Sequence, residues 1–112
     1  MNNKDHDRFV WMLKFAKRIE RRIAGITLET FLEDEDIQDA VLFAIGHIGE
    51  KANSVSEETR EAHQDILWSS LIGLRNRIFH SYGDIDMQIV YEVAAEDTPK
   101  LIAQLRSIIG AE

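Results

Sequence analysis

The 112-residue chain has no cysteine, a single proline at Pro99 and six glycines. Without cysteine there is no disulfide framework and no thiolate metal site. No apolar run approaches the ~20 residues of a membrane-spanning helix, and no signal-peptide core follows Met1. A cytoplasmic chain without a membrane partner is therefore expected. Strict apolar/polar alternation is absent as well, which argues against half-buried strands. Basic residues are in the minority: 13 Lys and Arg face 20 Asp and Glu, for a formal net charge of −7. That balance disfavours broad, non-specific nucleic-acid binding but leaves room for one focused basic site. The remainder is ordinary globular composition, with 45% hydrophobic and 29% charged residues. A single domain, 1–112, is expected at this length. So short a chain buries only about 60–70% of its unfolded surface, so a subunit interface would help it.

A 3.6-residue apolar period runs through nearly every segment, and the fold class expected is all-α. The first helix spans about Asp5 to Ala24, with Phe9, Met12, Ala16, Ile19 and Ile23 as its stripe and Gly25 as its stop. Thr27 to Leu32 reads as a turn or short helix. The acidic run Glu33 to Asp36 then opens a second helix over about 36–54, where carboxylates favour the positive end of the dipole. Ile37, Val41, Ala44, Ile45, Ile48, Ala52 and Val55 form its core face. Ser56 to Thr59 caps the next segment. A third long helix carries Leu67, Leu71, Leu74 and Ile78 and ends near Ser81 or Gly83. Asp84 or Asp86 caps a fourth, with Ile89, Val90 and Val93. Asp97-Thr98-Pro99 reads as an N-cap with Pro at N1, and either starts a last helix or bends the fourth. Leu101, Ile102, Leu105, Ile108 and Ile109 follow. These elements suit an up-and-down bundle of four to five helices.

Three helices offer more than one apolar or close-packing side. Trp11 and Phe15 lie ~80–100° from the first helix's main stripe. Leu42, Gly46, Gly49 and Asn53 line a side of the second helix away from its core face, where small residues admit another backbone. Trp68, Ile72 and Phe79 form a second stripe on the third. The surplus fits either a wide core or a homodimer built on helical faces. Charge is segregated too. Arg8, Lys14, Lys17, Arg18, Arg21 and Arg22 concentrate on the first helix, and Glu29 to Asp39 is acidic. Such runs are usually solvated faces. A basic strip beside a cleft can nevertheless hold a phosphate backbone on an acidic protein.

The segment richest in chemistry is Arg75-Asn76-Arg77-Ile78-Phe79-His80-Ser81-Tyr82. Arg75 and Tyr82 fall on one side of a helix, and Asn76 and His80 share another. Arg75 and His80 diverge by ~140° on an ideal helix. Both can serve one ligand only if the helix ends there, or if a second copy completes the site. Arg75 lies between Ile72 and Phe79 on an apolar stripe and should need an anionic partner. Such a set can cleave a phosphodiester. An imidazole near its ordinary pKa of ~6.5 can deprotonate a ribose 2′-OH or protonate a leaving 5′-oxygen. A guanidinium fork binds phosphate oxygens and stabilises the charge of the transition state. The plainer readings are a His complementing a helix dipole, an Arg held by stacking or an ion pair, and a boundary Tyr with a wet hydroxyl.

The segment resembles the HEPN superfamily signature, an Arg, a polar residue, then a His four to six positions after the Arg. It is most similar to the HepT subfamily pattern Arg-x4-His-x-Tyr, here Arg75, His80 and Tyr82 with Asn76 as the polar residue. The likeness extends through Phe31-Leu32, Asp39-Ala40-Val41, Ile48-Gly49-Glu50, Trp68 and the tail from Asp86 to Leu105. It implies a metal-independent ribonuclease toxin of a two-gene toxin–antitoxin module, a homodimer whose two motif helices make a composite cleft, and RNA as substrate. It also implies a cognate minimal nucleotidyltransferase antitoxin that transfers AMP to the motif tyrosine, Tyr82. On that basis Arg75 binds the scissile phosphate and His80 is the general acid or base. Asn76 orients His80 or the ribose, and Arg77 is an interface or accessory phosphate contact. No cofactor is implied.

Other residues carry less. Glu50 can pair with Arg75 or Arg77, or simply be solvated. His47 and Glu50 are spaced as one edge of a metal site, but two ligands without a third do not define one, and no metal is assigned. His6 and His63 look exposed. Trp11 and Trp68 are expected as core or dimer anchors rather than base-stacking platforms. A HEPN-like module that binds a nucleotidyltransferase or nucleotide without cutting RNA is the main rival, and a regulatory RNA-binding dimer is a further one.

Overall fold

The computed structural model describes residues 1–110, the side chain of Tyr82 excepted. Among the described residues the regular structure is all helical: α1 (Asn3–Ile23), α2 (Leu28–Glu33), α3 (Glu35–Ser54), α4 (Glu57–Ala62), α5 (Trp68–His80), a 3₁₀ turn (Tyr82–Asp84), α6 (Met87–Glu92), a π-helical stretch (Val93–Asp97) and α7 (Thr98–Ile109). No helix in this set is long and apolar enough to cross a membrane.

Local chemistry explains most boundaries. Asn2, Thr27, Asp34, Ser56 and Asp86 each cap a helix through a side-chain oxygen that accepts a backbone N–H. The stop after α1 uses Gly25, whose φ of 74° is open to glycine at no steric cost. At the other end of the chain Asp97 is not the cap its sequence suggests. Its backbone is helical and its side chain makes no capping bond. The chain instead runs unbroken from α6 into α7 through a π-helical turn, and the Thr98 hydroxyl donates to Val93 O at 3.1 Å. Widening the helix there relieves the clash between the Pro99 ring and the preceding turn.

One long helix expected through residue 67 is in fact two. The chain leaves α4 at His63 and re-enters α5 at Trp68. Ile66 is buried in the core, and the Trp68 indole N–H donates to His63 O at 3.0 Å. Gln104 of α7 donates to Asp65 O. Leu67, expected on the core stripe, is consequently 62% exposed, because it caps α5 instead of lying within it. Ile89 likewise faces outward, while Val90 beside it is fully buried.

The core is Phe9, Met12, Ala16 and Ile19 of α1 against Val41, Ala44, Ile45, Ile48 and Ala52 of α3, closed by Val90, Leu101, Ile102 and Leu105. α3 lies between α1 and α5. It runs antiparallel to both, as the Phe15–His47 and Trp11–Lys51 contacts on one side and the Arg75–Glu50 and Phe79–Gly46 contacts on the other require. The molecule measures 42 × 31 × 19 Å, a slab about two helices thick. Slabs leave broad helical faces open.

A buried carboxylate ties the first turn of α1 to α4. Asp5 is fully buried and accepts from Ser56 N (3.1 Å), Ser56 Oγ (2.6 Å), Thr59 Oγ1 (2.7 Å) and Arg8 Nη1 (2.9 Å). Burial alone would raise its pKa. The Ser56 and Thr59 hydroxyls, the Ser56 N–H and Arg8 outweigh that and hold the carboxyl well below the ordinary range.

Candidate active site

The site is built where α5 crosses α3. On α3, Gly46 and Gly49 are the small residues that admit another backbone, and the backbone they admit is α5 of the same chain. A Cβ on Gly49 would meet Leu71 O at 2.7 Å and Arg75 Cγ at 3.0 Å, and Arg75 Cβ nearer still. At Gly46 the Phe79 ring would sit at an ordinary 3.4 Å. Leu42, Gly46 and Gly49, assigned from sequence to a side apart from the core, are buried for this reason.

The close approach fixes Arg75. Its Nε donates to Glu50 Oε1 at 2.8 Å, Nη2 lies 2.5 Å from the same oxygen, and Nη1 donates to Asn76 Oδ1 at 2.7 Å. The guanidinium carbon lies 5.0 Å from the Phe79 ring centre. The anionic partner that an Arg on this stripe requires is thus Glu50, with Glu50 the more exposed member of the pair. Asn76 engages Arg75. His80 is exposed as the last residue of α5, where a basic side chain complements the C-terminal end of the helix dipole. Arg77 is exposed on another side of α5. Tyr82 falls at the start of the following 3₁₀ turn, and its side chain, the expected modification site, lies outside the described residues.

Beside the C-terminal half of α5 is a hollow of about 370 Å³ lined by Asp39, Leu42, Phe43, His47, Ile78 and Phe79. Phe43 and Phe79 are 58% and 56% exposed on its rim. Phe43 carries a signal that the sequence reading passed over, an aromatic one turn before His47 on a face that the core stripe does not use. His47 is not poised for a metal: it stacks on Phe15 with ring centres 4.7 Å apart, and Glu50 is taken by Arg75. Among the described residues no three His, Asp or Glu side chains are grouped to hold a metal ion. Trp68 is a core residue, packed against Phe9 at 5.9 Å, whereas Trp11 is 42% exposed on α1.

An all-helical bundle with an Arg-x4-His pair closing one helix has the features of the HEPN class of helical proteins. The chain belongs to the HepT-like ribonuclease family, whose model, described as Ribonuclease HepT-like, matches residues 12–108. It is 29% identical over 101 residues to "Putative RNase TTE0752" of Caldanaerobacter subterraneus subsp. tengcongensis, covering 90% of each chain. It is 30% identical over 83 residues to "Probable ribonuclease HepT" of Thermococcus cleftensis, covering 74% of this chain and 76% of the relative. "Putative RNase MJ1380" of Methanocaldococcus jannaschii is 28% identical over 102 residues, with 90% of this chain and 94% of that one aligned. No solved structure matches the chain.

Proposed function

We propose that the protein is a metal-independent endoribonuclease, the toxin of a two-gene toxin–antitoxin module, acting as a homodimer. The observation that carries this reading is the placement of Arg75 and His80 on one accessible helix end beside an unfilled apolar hollow. A second copy seated on the Phe43 and Phe79 rim would bring two motif helices together. It would also supply an imidazole to the side that a single helix leaves ~140° away. In such a cleft Arg75 grips the scissile phosphate. One His80 takes the 2′-OH proton as that oxygen attacks phosphorus, and a protonated imidazole gives its proton to the departing 5′-oxygen. Asn76 and Glu50 hold the guanidinium in its plane until phosphate arrives.

The control we propose acts on the same segment. The partner is a minimal nucleotidyltransferase. The Tyr82 oxygen attacks the α-phosphorus of ATP, pyrophosphate leaves and the phenolic proton passes to a base. The tyrosine, two residues along the chain from His80, then carries a phosphate whose charge and bulk compete with RNA for the motif arginines.

The Glu50 carboxylate already on Arg75 gives some support to the rival reading, a module that binds a nucleotidyltransferase or nucleotide without cleaving RNA. Expression with and without the neighbouring gene separates the two. The nuclease reading requires growth arrest that disappears in both Arg75→Ala and His80→Ala. It also requires RNA cleavage by the unmodified protein in excess chelator, and an AMP-sized mass gain with loss of cleavage when the neighbour is present. Arrest indifferent to both substitutions, or cleavage abolished by chelator, overturns it.

A further inference from the structure

Across α3 from Arg75 lies a second feature that the motif does not explain. Residues 11, 14, 15, 18 and 22 recur at helical spacing on one stripe of α1. Trp11 stacks on Phe15 with centres 5.5 Å apart and planes 19° apart, and Phe15 in turn stacks on His47 of α3. Over these rings sit cations: Lys14 Nζ at 4.7 Å and Lys51 Nζ at 5.5 Å from the Trp11 centre, and Arg18 Cζ at 4.7 Å from Phe15. In a chain of net charge −7 this is a local reversal of sign. Asp7, one turn before Trp11, and Glu50 bound the cationic stretch. Lys51 follows Glu50 directly, so the patch and Arg75 share one level of the slab. Two interhelical steps of 8–10 Å put them roughly 16–20 Å apart.

We infer that Trp11, Lys14, Arg18 and Lys51 form a binding subsite for single-stranded RNA flanking the cleaved linkage, a deepening that rests on the nuclease reading. A ring with open surface flanked by mobile ammonium and guanidinium groups matches what an unpaired strand presents: bases that stack and phosphates that need counter-charge. A second copy is the poorer occupant. A two-fold contact sets a patch against itself, and here cations would meet cations. The Phe43 and Phe79 hollow has no Lys or Arg in its lining and is mostly apolar. The four side chains are positioning residues: they fix where the strand lies and leave the chemistry to Arg75 and His80.

The test uses the full chain carrying His80→Ala, a fluorescein-labelled twelve-nucleotide oligouridylate and fluorescence anisotropy. Trp11→Ala should weaken binding about 5- to 150-fold, as loss of one stacked base does, and Trp11→Phe should restore it to within threefold. Lys14→Gln, Arg18→Gln and Lys51→Gln together should weaken it at least tenfold at low salt. They should also flatten the slope of log affinity against log salt by about 2, at ~0.7 per phosphate on a single strand. In the chain that retains His80 the same substitutions should raise KM for long RNA at unchanged kcat and leave a dinucleotide's cleavage alone. Binding that is indifferent to both sets of substitutions overturns the inference while leaving the nuclease reading intact. So does a change in oligomeric state with Trp11→Ala by light scattering, which would make Trp11 a subunit contact. A wild-type chain that binds the strand through these residues yet cleaves no RNA overturns the nuclease reading, and with it the subsite's place beside a cleaved linkage, leaving only an RNA-binding patch.

Discussion

Replacing Gly49 by Ala should push α5 off α3 and carry Arg75 with it. The added Cβ would lie 2.7 Å from Leu71 O, where such a contact is ordinarily 3.3–3.6 Å. It would lie 3.0 Å from Arg75 Cγ, where carbon pairs rest at about 3.5–4.0 Å. Leu71 O is backbone and Arg75 Cβ, nearer still, is fixed to it, so no side-chain rotation relieves the clash. The helix must retreat by roughly half an ångström to one ångström, at about 1–3 kcal/mol for such overpacking. Against this stands a gain of ~1 kcal/mol from replacing a helical glycine with alanine. Gly73→Ala isolates that gain, since a Cβ on Gly73 meets nothing within 4 Å. The two variants should therefore differ by about 1–3 kcal/mol, with Gly49→Ala the less stable. That corresponds to roughly 4–12 °C in Tm at about 4 °C per kcal/mol. Gly46→Ala, facing the Phe79 ring at an ordinary distance, should behave like Gly73→Ala. Thermal unfolding by circular dichroism reads the series. Gly49→Ala should also lose cleavage, up to about 10²-fold for a displacement near 1 Å. Equal melting temperatures for Gly49→Ala and Gly73→Ala would refute the reasoning that these two helices are in backbone contact.

Asp5→Ala should destabilise the fold by about 2–4 kcal/mol, because the Ser56 and Thr59 donors lose their buried acceptor; urea unfolding measures it. Because the folded pKa of Asp5 is depressed, its contribution is fully present above the unfolded value of ~3.9 and is lost as pH falls below that. Melting curves between pH 5 and 3 should accordingly fall less steeply in Asp5→Asn than in the parent chain. Glu50→Gln should change stability by no more than about 1 kcal/mol, since its partner Arg75 is part-exposed and the pair is screened by water; a larger loss in urea would mean that the pair holds α5 in place. His80→Ala should lower cleavage of unmodified protein by ~10²–10⁴-fold with the circular dichroism spectrum unchanged, and a residual rate within threefold of the parent would remove His80 from the chemistry.

Much of the helical framework is legible in the chain because its signals are local. Ser56 announces a cap, Asp86 is one of two cap candidates, Gly25 announces a stop, and the apolar period marks the faces of α1 and α3, whereas the Thr27 and Asp34 caps emerge in the structure. The break between α4 and α5 carries no glycine or proline. It arises because burying Ile66, bonding the Trp68 indole to His63 O and bonding Gln104 to Asp65 O outweigh helix propensity, and the first and last of these depend on residues far along the chain. The π-helical turn before Pro99 has the same character: the sequence shows the proline, but only packing decides whether the helix restarts or widens. At the site, Arg75, Asn76 and His80 stand out as a cluster of chemical groups. That Glu50, named from sequence as a partner for Arg75 or Arg77, meets Arg75, and that Asn76 turns to Arg75, follows from how closely α3 and α5 approach.

The order of residues by itself determined an all-helical chain, part of its cap chemistry and the occurrence of an arginine and a histidine near one helix end, because each is encoded within a few turns. The tertiary structure alone decided which backbone lies against Gly49, which arginine Glu50 neutralises, and that Asp5 is buried under the hydroxyls of Ser56 and Thr59. It also decided that Trp11 keeps an open face among cations. These are contacts between residues 25 to 54 positions apart in most cases, and no local periodicity sets the register in which two helices meet.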